Sequence, residues 1–408
     1  MKSVGIIVEY NPFHNGHAYH VQQAKTISNA DIVIAVMSGY FLQRGEPALV
    51  SKWARTNMAL RAGVDIVIEL PYAFATQKAE VFANGAISLL HALGVDSLCF
   101  GSEEGNITPF HELVNFYKKN EGVLDVAIKK EIKKGVSYPK AAASAFHVLK
   151  EEGLLDLSLP NNILGFHYVK AIKEKQAEIE AFTVARTKSG YHDPAPKDRS
   201  IASATSIRNE LKSTNHLKAI QSFVPNTTLA ILEKEYASHG QFVSWEKLFP
   251  FLKYRLLTAP LDELQMIYEI EEGIESRLVS RVKDAQSFQK FIESVKTKRF
   301  TWTRLQRMCT HILTNAKKCE MAEALETKEA DYIRLLGMSL NGQLYLNQMK
   351  KNISLPFISK YSKHHQDLLK LDVVAAHTYG LAFPPPVREQ FIKAEYTMHP
   401  IIQSPFRL

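Results

Sequence analysis

Two histidines three residues apart, in His14-Asn15-Gly16-His17, are the side chains of this sequence best suited to chemistry. At that spacing both imidazoles can donate to one phosphate group and stabilise the charge that develops as pyrophosphate leaves. Gly16 between them has no Cβ, so a nucleotide can approach the backbone closely. The residues around the pair say where such a turn would sit. Val4-Gly5-Ile6-Ile7-Val8 is a short apolar run rich in β-branched residues and reads as a buried strand. Asn11-Pro12 breaks it, and Tyr19, Val21, Ala24 and Ile27 then supply packing positions for a helix. A strand, a glycine turn and a helix start bring free backbone N–H groups and the positive end of the helix dipole to one point, which suits an anion.

The elements that would position this turn follow in alternation. Strands are expected over Asp31–Met37, Val64–Leu70 and Ser97–Phe100. Helices are expected from an N-capping Ser51 to Arg61 and over Lys78–Leu93, closed by Gly63 and Gly94. Such alternation means an α/β fold with a doubly wound parallel sheet, whose ligands bind at the carboxyl ends of the strands. That rule gathers the loops Tyr10–His17, Ser38–Glu46, Pro71–Gln77 and Gly101–Gly105 at one edge. A later strand, Ala181–Val184, leads to a polar loop that starts with Arg186 and Thr187. Ser203, Thr205, Ser206 and Arg208 form a second candidate phosphate cradle, or simply a capped helix start. Beyond Pro225 the pattern is mainly helical. Ile333–Met338 and Leu355–Ile358 read equally as strands or as buried helix, although Pro356 argues against a central strand. The expected division is residues 1–225 and 226–408.

The chain has 408 residues, 46% of them hydrophobic, and a formal net charge of +8. It can bury a large core, and its charge is compatible with a nucleic-acid partner without requiring one. No apolar run reaches the ~20 residues of a membrane span. The N-terminus lacks the shape of a signal peptide, and Cys99, Cys309 and Cys319 show no metal-ligand spacing. A reduced, cytoplasmic protein is therefore expected. The richest candidate for RNA is Lys296–Arg307, where Lys296, Lys298, Arg299, Arg304 and Arg307 interleave with Phe300 and Trp302.

In this setting His14-Asn15-Gly16-His17 resembles the signature of the HxGH nucleotidyltransferase superfamily. The longer strings Gly5–His17, Ser38–Pro47 and Ser189-Gly190-Tyr191-His192-Asp193 resemble the bacterial tRNA(Met) cytidine acetate ligase family, and the likeness spans the chain. That resemblance implies an enzyme that activates acetate with ATP as acetyl-adenylate and acetylates N4 of the wobble cytidine of elongator tRNA(Met), giving N4-acetylcytidine. It implies an ATP site made of Ile7, Val8, Glu9, Tyr10, Asn11, Pro12, Phe13, His14, Asn15, Gly16, His17, Ala18, Tyr19 and His20, with Gly101, Asn162, Arg186 and Thr187. His14, His17 and Arg186 would carry catalysis, and residues 226–408 would bind tRNA. No covalent nucleophile is required, because acetate itself attacks the α-phosphorus. Mg2+ is the expected companion of ATP, with Glu9 and Glu103 the nearest carboxylates by sequence logic. No membrane or obligate protein partner is expected. Two other readings share the histidine motif: a nucleotidylyltransferase acting on a small metabolite, and a non-catalytic nucleotide-sensing RNA-binding protein.

Overall fold

The computed structural model describes residues 1–134, 136, 138–148, 155–186, 202–214 and 216–403. Eight strands form one sheet: β1 (Ser3–Val8), β2 (Ile32–Ser38), β3 (Ile66–Leu70), β4 (Ser97–Ser102), β5 (Glu180–Ala185), β6 (Ile333–Met338), β7 (Phe357–Ile358) and β8 (Ile401–Ile402). Their order is β5-β4-β1-β2-β3-β6-β7, with β8 also on β6. From β5 to β3 all pairings are parallel, as the alternation of strands and helices predicts. Each strand of the centre is covered on both faces, which is why it reads as an unbroken apolar run. In β2, Ile32, Ile34 and Val36 pack into one core while Val33, Ala35 and Met37 pack into the other.

The far edge departs from the purely parallel expectation. β6 comes from the last quarter of the chain and pairs antiparallel with β3. Residues Ile333–Met338, ambiguous by periodicity, are thus a strand. β7 is a two-residue edge strand; Pro356 beside it accepts a hydrogen bond from the Ile333 N–H at 2.9 Å and has no N–H to offer in return. Behind this edge lies a buried charge cluster. Lys52 Nζ stands 2.7 Å from Glu69 and 2.9 Å from Glu395, and Arg334 lies 2.5 Å from Glu395. The two cations offset the two carboxylates, and removing any one would strand its partner in a dry interior.

The C-terminal half is otherwise helical, including Trp245–Thr258, Phe288–Val295 and Trp302–Leu313. It grips one loop of the sheet edge. Trp245 Nε1 and Thr310 Oγ1 donate to the Gly45 carbonyl at 3.1 and 2.7 Å, and Gln306 Nε2 donates to the Arg44 carbonyl at 3.0 Å. Gly45 has φ +77°, and a Cβ there would lie 2.6 Å from the Arg307 backbone nitrogen, so the contact requires glycine.

Candidate active site

The turn after β1 is held from beneath. Tyr10 takes φ +53°, a costly conformation for a bulky residue, and its buried ring packs 4.6 Å from Phe13 and 4.9 Å from His17, centroid to centroid. Asn11 Oδ1 accepts the Leu49 N–H at 2.7 Å. Arg55, wholly buried, donates to the carbonyls of Glu9, Ser38 and Gly39, tying the ends of β1 and β2 together. Nothing in the sequence singles out Arg55 from the other polar residues of its helix, Lys52, Thr56, Asn57 and Arg61.

His14 caps the helix Asn15–Ser28. Its Nδ1 accepts the Gly16 N–H at 3.0 Å, and His17 Nδ1 accepts the His14 N–H at 3.3 Å. Each ring therefore spends Nδ1 as an acceptor, and a neutral imidazole must then carry its proton on Nε2. The rings stack at 3.7 Å. Burial, then the cations Arg186 and Arg208, push the His14 pKa down to about 3; His17 is held well below its ordinary value by burial and by His14. Both are neutral Nε2–H donors near pH 7. His20, pushed down to about 4 by burial and Arg186, has a buried Nε2 with no partner, as have Tyr10 OH and Asn11 Nδ2. Such orphaned polar atoms fit a ligand that brings its own hydrogen-bonding groups.

A cavity of about 270 Å³ opens above this turn. It is lined by His14, Gly16, His17 and His20, by Gly101, Asn161 and Arg186, and by Ser203, Thr205 and Arg208. Arg186 lies over Gly101, where a Cβ would meet its Cγ at 3.4 Å, and its Nη1 reaches Asn161 Oδ1 at 3.4 Å. Arg208 donates to the Asn11 carbonyl and to Glu46, at 2.8 and 2.7 Å. Ser203 both caps its helix, accepting the Ser206 N–H, and lines the cavity. The capped helix start is therefore present, and the same residues stand where a phosphate cradle would require them. Ile7, Val8, Glu9, Tyr10, Asn11 and Tyr19 also line the cavity, as do Gln43, Arg44 and Glu46.

Other expected residues fall elsewhere. Pro12, Phe13, Asn15 and Ala18 are in the turn or its helix but do not line the cavity. Asn162 is buried: its Oδ1 accepts the N–H groups of Glu103 and Glu104, and its Nδ2 donates to the Asp156 carbonyl. It positions the β4 loop, and its neighbour Asn161 is the one that reaches the cavity. Thr187 lies outside the described residues, as does the string at 189–193. Glu103 spends its carboxylate on the N–H groups of Asn161 and Asn162. Glu9 accepts the Gln43 N–H at 2.7 Å and stands in the field of Arg44 and Arg208, an unfavourable place for a divalent cation. Among the described residues no group of three His, Cys, Asp or Glu is placed to hold a metal. An apolar end made by Leu42, Phe82, Phe100, Leu164 and Tyr168 carried no sequence signal beyond hydrophobicity.

In the 296–307 stretch, Arg307 is buried against Glu269 at 3.0 Å, Arg304 lies 3.6 Å from Glu271, and Arg299 pairs with Glu272. Phe300 is buried. Lys296 and Lys298 remain exposed.

An α/β sheet with a parallel centre, whose first turn aims two histidine donors and a helix start into a cavity, is the design of a nucleotidyl transferase. The profile of the HIGH Nucleotidyl Transferase family matches residues 1–394. The tRNA(Met) cytidine acetate ligases of Halalkalibacterium halodurans and Bacillus subtilis are 51% and 50% identical to the chain; each alignment covers 98% of this chain and 97% of the relative. A crystal structure of Thermotoga maritima TmcAL bound with alpha-thio ATP superposes with TM-score 0.89 at 32% identity, over 98% of this chain and 99% of that one. The chain belongs to the HIGH nucleotidyl transferase family and, within it, to the tRNA(Met) cytidine acetate ligases.

Proposed function

We propose that this chain joins acetate to the wobble cytidine of elongator tRNA(Met) at the expense of ATP, through acetyl-adenylate. The observation that carries the reading is the convergence of three donors, His14 Nε2, His17 Nε2 and Arg186, on one cavity at a helix N-terminus, with Arg208 held on Glu46 beside them. His14 and His17 would donate to the phosphates that leave as pyrophosphate. They bring no net charge of their own, so Arg186 supplies the positive field, Arg208 being offset by Glu46. Arg186 would neutralise the α-phosphate while the acetate oxygen attacks it. Gly16, Gly101 and Asn161 would let the nucleotide lie against backbone. Mg2+ would enter on the triphosphate, since the described residues offer it no cage of their own. Residues 1–225 would activate acetate. Residues 226–408 would present the tRNA, with Lys296 and Lys298 as exposed cations. The names of the relatives support acetate and tRNA(Met) as the substrates. No described helix is long and apolar enough to cross a membrane, and the proposed substrate places the enzyme in the cytoplasm.

The test is direct. Protein, ATP, labelled acetate and elongator tRNA(Met) should give label in the tRNA only when ATP is present. Pyrophosphate release with a small-molecule acceptor and no labelled RNA would instead identify a metabolite nucleotidylyltransferase. No ATP turnover at all would leave a nucleotide-sensing binder.

A further inference from the structure

The cavity holds a carboxylate that the activation of acetate does not explain. Glu9 lies just past the end of β1 and faces the cavity, whose other carboxylate, Glu46, is spent on Arg208. ATP and acetate are both anionic, and a carboxylate in their binding site repels them. Burial also acts against its charge: desolvation raises the Glu9 pKa above its ordinary value, opposed by the Gln43 N–H and by Arg44. A group kept at such a cost calls for a donor among the reactants. The amine that must be acetylated is one.

The surroundings of Glu9 fit an amine attached to a flat base. Tyr168 is close enough for the Glu9 charge to raise its phenol further. Its ring stands 5.7 Å from that of Phe100, edge to face. Phe100 is pressed onto the helix Pro160–Glu174 where Gly165 makes room, a Cβ there falling 2.4 Å from the ring. Phe82 and Leu164 continue this apolar wall. Against it an extruded pyrimidine can rest out of water. A carboxylate accepts from the cytosine N4 amine and is repelled by the O4 that uracil carries at the same position.

We propose that Glu9 receives the N4 amine of the wobble cytosine and takes its proton during acetyl transfer. This rests on the ligase reading above. In the step, the N4 lone pair forms a bond to the acetyl carbonyl carbon. The bond from that carbon to the phosphate oxygen breaks, and AMP leaves with the electron pair. The proton lost by N4 moves to Glu9 and then to water. Gln43 holds Oε1 through its main-chain N–H at 2.7 Å, which fixes the carboxylate. The charged and titratable groups around it are Arg44 and Glu46 from the β2 loop, Arg208 from the helix Ala204–Thr214, Arg55 from the helix Lys52–Arg61 and Tyr168.

The experiment separates the two half-reactions in Glu9→Gln and Glu9→Asp, using the full chain with ATP, acetate and elongator tRNA(Met). Acetate-dependent exchange of pyrophosphate into ATP reports activation, and single-turnover transfer from preformed acetyl-adenylate reports the second step. Glu9→Gln should slow transfer by about 100-fold or more relative to its effect on exchange, within the range of a general base. Glu9→Asp should recover part of that loss. The wild-type transfer rate should fall on acidification through the Glu9 titration, and this limb should vanish in Glu9→Gln. Equal losses in exchange and transfer would overturn the proposal and put Glu9 at the ATP, for instance on the adenine amine. Near-normal transfer in Glu9→Gln would overturn it as well. Failure of the wild-type protein to exchange pyrophosphate with acetate would instead overturn the ligase reading itself.

Discussion

At the turn after β1 the polar groups point into open space; along the helix Trp302–Leu313 they point at one another. The first region spends one nitrogen of each histidine on backbone N–H groups and leaves the other aimed at the cavity. The second gathers more positive charge, yet Glu269, Glu271 and Glu272 answer Arg307, Arg304 and Arg299 in turn. Its Arg307 serves a different end, packing behind Gly45 in the loop that carries Gln43 and Arg44. Binding capacity thus follows from what remains unpaired after folding, and the number of charges is a poor guide to it.

Substitutions can break this contrast. The largest effect is expected from Arg307→Ala. It strands a buried Glu269 carboxylate and should cost about 3 kcal/mol in denaturant unfolding, while the salt dependence of tRNA binding stays unchanged. A reduced salt slope would return Arg307 to the RNA surface. Next, His14→Ala or His17→Ala should lower acetate-dependent pyrophosphate exchange by about 100-fold or more, with tRNA affinity within about threefold. Turnover at the wild-type level would remove the histidines from the mechanism.

A pH titration sharpens the same point without mutation. His14, His17, His20, His167 and His311 all have pKa values lowered chiefly by burial. Above about pH 6.5 they are neutral in both folded and unfolded chains. Below it the unfolded chain takes up protons that the fold refuses. Stability should then fall as pH drops toward 4, by up to about 1.4 kcal/mol per unit for each histidine. Urea midpoints at pH 7.5 and 5.5 measure it, and a flat profile would mean that these rings are not held neutral. The smallest effect belongs to Lys296→Ala with Lys298→Ala. If both meet phosphates, the log–log salt slope of tRNA binding should drop by about 1.4–1.8, with no change in unfolding.

The sheet and the turn were legible for physical reasons. β-Branched runs between helical segments have few other uses, and a glycine between two histidines after such a run leaves little choice of geometry. What stayed hidden depends on which distant elements meet. The Glu269–Glu272 acids are visible in the sequence, but nothing local says that they face the later arginines. Asn161 and Asn162 are adjacent and identical in type; only the helix phase decides which one ties the β4 loop and which one reaches the cavity. β6 reads as strand or buried helix until β3 is seen to lack a neighbour on that side.

That neighbour also carries a schedule. Lys52 and Glu395 are 343 positions apart, which at ribosomal speeds separates their synthesis by on the order of 20–70 seconds. For most of that interval the outer edge of β3 has no partner strand, because β6 and its Arg334 come late in the chain, and until its end the Lys52–Glu69 pair lacks the Glu395 that completes its cage. An open strand edge beside an unfinished charge cluster is where a nascent chain recruits the wrong partner. Folding yield in the cell should therefore be governed less by the strength of the finished core than by how well the first half is sheltered until the final helix arrives.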